Sequence, residues 1–103
     1  MLLVPTVFSL AQNYPNPFNP STTIRYGLPQ AAHVALSIYN VLGQRVAELT
    51  NEVESAGFYN VVWNGRNQTG AQVATGVYFY RIEATPVNGG APFISLKKAL
   101  LLK

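Results

Sequence analysis

Two antiparallel sheets packed face to face, an all-β fold, is the architecture this sequence predicts, and three observations predict it. Apolar and polar residues alternate along most of the chain with a period of two, not 3.6. Gly and Asn turn signals recur at the spacing usual for antiparallel sheets. Near the start, Asn13-Tyr14-Pro15-Asn16-Pro17-Phe18-Asn19-Pro20 places three prolines within six positions. Each proline fixes φ near about −65° and removes a backbone donor, so neither a helix nor a central strand can form there.

The elements follow in order. Tyr14, Asn16 and Asn19 each precede a proline and are pushed toward β or polyproline backbone. Residues 1–20 should therefore be an extended, stiff leader strap at the edge of a domain spanning 21–103. Ile24, Tyr26 and Leu28 share one face of a first strand that begins at Thr22 and stops at Pro29. Val34, Leu36 and Ile38 share one face of a second, from His33 to Asn40. Val41-Leu42-Gly43-Gln44 makes the turn, with Gly43 supplying the positive φ, and a third strand from Arg45 to about Leu49 completes the hairpin. Residues 50–57 carry Glu52 and Glu54 and read as an exposed connection, with a weak continuing strand as the alternative. Tyr59, Val61 and Trp63 form the inner face of the next strand, which ends at Asn64-Gly65. Residues 66–75 read as a polar loop crossing between sheets. Gly76 to Ala84 is the strongest strand, rich in aromatic and β-branched residues, with Tyr78, Tyr80, Ile82 and Ala84 facing in, opposite Arg81 and Glu83. Asn88-Gly89-Gly90 turns the chain into a last strand from about Phe93 to Leu102. About seven short strands with turns every 8 to 12 residues or so make an immunoglobulin-like β-sandwich the expected fold. The Cys-Trp-Cys signature of true immunoglobulin domains is missing.

A chain of 103 residues supports one domain with one core. Its charged fraction is 11% where soluble domains average about 25%, so amides, hydroxyls and glycine must cover much of the surface. Of the seven bases behind the net charge of +3, three (Lys97, Lys98 and Lys103) fall in the last seven residues. Arg25, Arg45, Arg66 and Arg81 are spread singly, unlike the patches of nucleic-acid readers. There is no cysteine, which removes disulfide and thiolate chemistry. No apolar run approaches the roughly 18 residues of a membrane span. Met1-Leu2-Leu3-Val4-Pro5 lacks the basic start and length of a signal peptide, so an export signal would lie elsewhere, as in a piece of a longer polypeptide.

Reactive constellations are absent from the pattern. With no aspartate and one histidine, His33, a nucleophilic triad would need that histidine as base and a glutamate as its partner. His33 opens a strand after a turn, an ordinary solvated position. Glu48, Glu52 and Glu54 crowd one connection and Glu83 sits on an outer face, which disfavours the opposed carboxyl pair of a glycosidase and supplies too few ligands for calcium. The Gly65 to Gly70 interval starts like a phosphate loop, but Ala71-Gln72 stands where lysine and a hydroxyl would be required. Asn67-Gln68-Thr69 fits a glycosylation acceptor pattern, a common coincidence. Trp63, Tyr78 and Tyr80 belong to the core by their alternation. No catalytic residue, cofactor or metal site is expected, which leaves recognition and assembly.

Several segments together resemble a known family. The Asn-Pro strap (Asn13, Pro15, Asn16, Pro17, Phe18, Asn19, Pro20), the hairpin Ile38-Tyr39-Asn40-Val41-Leu42-Gly43-Gln44-Arg45-Val46, the strand Gly76-Val77-Tyr78-Phe79-Tyr80-Arg81 and the end Lys97-Lys98-Ala99-Leu100-Leu101-Leu102-Lys103 are similar, in that order, to the type A C-terminal sorting domain of cargo exported by the type IX secretion system. The resemblance implies a non-catalytic immunoglobulin-like domain following an N-terminal cargo domain. Its partners would be the outer-membrane translocon and a sortase-like protease, and its route would run through the periplasm to the cell surface. Gly76, Tyr78, Lys97, Lys98 and Lys103 would be the sorting residues. Trp63 to Gly70 followed by Gly76-Val77-Tyr78 is also similar to the immunoglobulin-like domain of flagellar hook-capping proteins, a structural assembly module. A carbohydrate-binding module of a secreted hydrolase is a third reading, and it would require exposed coplanar aromatics.

Overall fold

The computed structural model describes residues 4–102, and within them it is an all-β, immunoglobulin-like sandwich. Seven strands form: β1 (Ser9–Leu10), β2 (Thr22–Leu28), β3 (Ala32–Tyr39), β4 (Arg45–Glu54), β5 (Gly57–Trp63), β6 (Gly76–Pro86) and β7 (Phe93–Leu101). Three of them make sheet A in the order β1-β2-β5, and four make sheet B in the order β4-β3-β6-β7. Every strand pairing is antiparallel. No helix in this region is long and apolar enough to cross a membrane.

The period of two decides the core. Ile24, Tyr26 and Leu28 from β2, Val34, Leu36 and Ile38 from β3, and Tyr80, Ile82 and Ala84 from β6 are all at most 1% exposed. Each large apolar side chain buried in this way stabilises the fold by roughly 1.5–3 kcal/mol. Two aromatic contacts tie the sheets together. Trp63 of sheet A meets Tyr78 of sheet B edge-on at 5.2 Å. Tyr26, stacked on Tyr59 at 5.3 Å, donates its hydroxyl across the sandwich to the Glu54 carboxylate of β4. Burial first, and then that carboxylate, hold the Tyr26 hydroxyl well above the ordinary phenol range.

The β3–β4 turn is built on one side chain. Asn40 Oδ1 accepts from the amides of Leu42 and Gln44, both at 3.0 Å, while Gly43 takes φ +79°. Here the expectation of a positive φ holds, and a larger residue would be strained.

Three segments depart from expectation. The third strand does not stop near Leu49; it continues to Glu54, with Ala32 to Leu36 of β3 opposite Glu54 to Thr50. Its polar composition misleads because it is an edge strand whose far end is open to water. A further strand, β1, pairs Ser9 with Gly27 and Leu10 with Tyr26. β6 runs on to Pro86, beyond the Ala84 limit read from the sequence.

Candidate functional site

The proline strap and the final strand meet at the outer edge of sheet B. Phe18 forms a parallel bridge with Leu101: its amide donates to Leu100 O at 2.9 Å, and the Leu102 amide donates to Phe18 O at 2.9 Å. Asn16 Oδ1 accepts from the Leu100 amide at 3.0 Å. Gln12 Nε2 donates to Lys98 O at 2.7 Å. Outward-facing backbone groups from Lys98 to Leu102, which an edge strand would otherwise offer to any passing strand, are thus occupied by the chain's own leader.

The strap is held from beneath. Phe18 is 2% exposed, with its ring 5.5 Å from Trp63. Tyr80 accepts from the Asn13 amide at 2.7 Å and donates to Ala11 O at 2.7 Å. Burial pushes this hydroxyl up to about 12, which keeps it protonated and able to donate. Asn13, also buried, donates through Nδ2 to Thr22 Oγ1 at 2.9 Å and to Pro15 O at 3.2 Å. Thr22 in turn donates to the same Pro15 carbonyl at 2.8 Å. No described buried side-chain polar atom lacks a partner, as a tightly determined polar network requires. Pro17, Asn19 and Pro20 stay exposed, and the Tyr14-Pro15, Asn16-Pro17 and Asn19-Pro20 bonds are cis.

The residues singled out in the sequence separate into groups. Asn13, Asn16 and Phe18 join the strap to β6 and β7. Tyr78 is buried against Trp63, its hydroxyl donating to Ala74 O at 2.6 Å, and burial raises its pKa. Gly76 opens β6 opposite Leu101 with φ +149°, so backbone conformation explains the glycine, and nothing lies within 4 Å of where a Cβ would stand. Lys97 is half-buried on the core side and Lys98 is exposed on the outer side, so the two cations point to opposite faces and do not make one patch. Lys103 lies outside the described residues. Sequence reading missed Gln12, and it assigned Tyr80 to the core without a role for its hydroxyl. A tyrosine where phenylalanine would fill the same space is the available signal.

The other candidate chemistry stays dispersed. His33 is exposed on the outer face of sheet B between Val53 and Thr85. Glu83 pairs with Arg81 at 3.3 Å. No group of three potential metal ligands occurs among the described residues. Trp63, Tyr78 and Tyr80 are buried, which removes them as a stacking platform for sugars.

An immunoglobulin-like module with an internally closed terminal edge is the class of protein these features define. The chain belongs to the FlgD Ig-like domain family, whose model matches residues 18–88. That stretch contains β2 to β6 and leaves out residues 13–17 of the strap and all of β7. Among solved structures, the fold is similar to dimeric latent PorU from Porphyromonas gingivalis, with a TM-score of 0.72 and 21% identity over 88% of this chain. It is also similar to PorZ, an essential bacterial surface component of the type-IX secretion system of Porphyromonas gingivalis, with a TM-score of 0.52 and 20% identity over 93% of this chain. The chain spans only 9% and 11% of those two proteins. No curated protein matches it.

Proposed function

We propose that this domain is a non-catalytic sorting module, carried at the end of an exported bacterial protein and recognised by the type IX outer-membrane machinery. The observation that carries the reading is the junction of strap and β7. The two segments that the sequence resemblance marks as distinctive are more than 80 positions apart, yet they share hydrogen bonds at one sheet edge. A translocon reading that edge would sense folding and identity together, because the strap docks only on a completed sandwich. Lys98, exposed beside the junction, would supply the outward-facing charge, with Lys97, Lys103, Gly76 and Tyr78 as further sorting residues. A sortase-like protease would act upstream of the strap, as cargo leaves the periplasm for the cell surface.

The test is a fusion of the chain to the C-terminus of a periplasm-directed reporter, expressed in a bacterium that has the machinery. The reporter should reach the surface, and removal of residues 97–103 should strand it in the periplasm. Surface delivery that survives the removal would refute the role assigned to the terminal strand. The family match over residues 18–88 favours a second reading, an assembly module of the hook-capping kind. On that reading the intact fusion would also stay in the periplasm.

A further inference from the structure

A cleft of about 490 Å³ opens between the β3–β4 turn and the 66–75 loop, lined by Asn40, Gln44, Arg45, Asn67, Gln68 and Thr69 with apolar neighbours including Val73 and Tyr78. Its chemistry is set by the way four carboxamides are turned. Asn40 Oδ1 receives two backbone amides; a backbone N–H only donates, so that atom must be the oxygen. Asn40 Nδ2 then donates to Gln44 Oε1 at 2.8 Å, which fixes Gln44 in turn. Asn67 Oδ1 accepts from the amides of Thr69 at 3.1 Å and Ala71 at 3.0 Å, and from the Thr69 hydroxyl at 2.8 Å. Gln68 Oε1 accepts from the Glu48 amide at 2.7 Å.

Every carboxamide oxygen on this wall is occupied, while the amino groups of Gln44, Asn67 and Gln68 bond to no described residue. Arg45 adds a guanidinium that is 59% exposed and spends Nη1 on Glu48 Oε2 at 3.2 Å. Glu48 itself lines the neighbouring cleft, where its Oε1 accepts from Asn51 Nδ2 at 3.3 Å. The wall therefore offers more hydrogen bonds than it can take: its open acceptors are Thr69 Oγ1 and one lone pair each on Gln44 Oε1 and Gln68 Oε1.

We propose that this cleft binds a carboxylate-bearing saccharide, one uronic-acid unit seated on Arg45 and the three carboxamides. An ionised carboxylate accepts at two oxygens and brings no proton of its own. Sugar hydroxyls rotate their protons toward water and offer lone pairs to the wall. An acidic peptide is a poorer match, since its backbone N–H groups cannot turn away from a surface made of donors. A phosphate monoester, with about −1.5 to −2 charge, would call for more than the single cation here. The residues belong to the body of the sandwich and not to the strap edge, so the inference stands apart from the sorting role.

The test is an NMR titration of the 103-residue chain with trigalacturonate, with neutral galactotriose and triglutamate as comparison probes. The side-chain amide signals of Gln44, Asn67 and Gln68 should shift saturably with trigalacturonate alone. The double substitution Gln44→Glu and Gln68→Glu keeps an oxygen where Asn40 Nδ2 and the Glu48 amide donate, and converts both free donors into acceptors. It should weaken binding at least about tenfold, the scale of one lost charge-assisted bond, with the melting temperature unchanged. If that variant folds poorly, Arg45→Gln at its exposed position should weaken binding about fivefold or more by the same logic. Absence of a saturable shift would overturn the proposal. So would galactotriose or triglutamate binding as tightly, or a folded variant that keeps its affinity within about twofold, less than one ordinary hydrogen bond accounts for.

Discussion

The two outer edges of sheet B are closed by different means. At β7, residues 12–18 supply backbone and side-chain partners to Lys98, Leu100 and Leu102, and those partners stand 82 to 86 positions away in sequence. At β4, one residue of the 66–75 loop, 20 positions from Glu48, covers the start of the strand: the Gln68 amide donates to Val46 O at 3.0 Å and its side chain accepts from the Glu48 amide. Further along β4, Glu52 and Glu54 add the edge charges that discourage pairing with other chains. The β4 solution rests on one exposed loop residue, whereas the β7 solution is rooted in the core through Phe18 and Tyr80. Closure of the β7 edge is therefore tied directly to the core, and closure of the β4 edge is tied to it only through the 66–75 loop.

That contrast is broken most severely at Phe18. Phe18→Ala removes a buried ring and should cost about 3–5 kcal/mol in urea denaturation followed by Trp63 fluorescence; a loss under about 1 kcal/mol would mean the strap is appended to the core without being part of it. Tyr80→Phe should cost about 1–3 kcal/mol, because the Asn13 amide and the Ala11 carbonyl lose their partner. The same variant carries a pH signature. Burial raises the Tyr80 hydroxyl from 10.0 to about 12, so the fold favours the neutral phenol. The stabilisation is complete below about pH 10 and disappears as pH climbs through about 12. The wild-type chain should lose stability more steeply than Tyr80→Phe across that window, with Tyr26 and Tyr78 common to both; parallel profiles would contradict the assignment.

The smallest effects sharpen the comparison best. Asn16→Ala and Gln68→Ala each remove one edge hydrogen bond, worth about 0.5–1.5 kcal/mol. Hydrogen exchange should quicken at the Leu100 amide in the first variant and at the Glu48 amide in the second. Exchange that rises at both amides in either variant would show that the two edges open as one unit.

How much of this was legible depended on how far apart the partners lie. The inward faces of β2, β3 and β6 follow from alternation, because Ile24, Leu36 and Ile82 obey a rule that operates between neighbouring residues. The strap was visible as a segment, since its prolines dictate local backbone. Its docking was not, because nothing near Asn16 indicates that its acceptor will meet residue 100. The continuation of β4 through Glu52 and Glu54 ranked only as the alternative to an exposed connection, because strand composition signals burial, and an outer edge is only half buried. Period-two geometry did contain one overlooked fact: Lys97 and Lys98, being adjacent in a strand, must face opposite sides. The donor wall lay beyond any linear reading, since it arises only where a turn of sheet B and the loop that crosses between the sheets come together.

The parallel sense of the Phe18–Leu101 bridge bears on how the domain responds to tension. A force drawing the leader away in one direction and the final strand in the other pulls these two segments along their lengths. The bonds from Gln12, Asn16 and Phe18 are then strained in shear and must yield together, where peeling would open them one after another. Traction from an attached neighbour, once past the β1–β2 pairing, thus meets bonds arranged to resist it together.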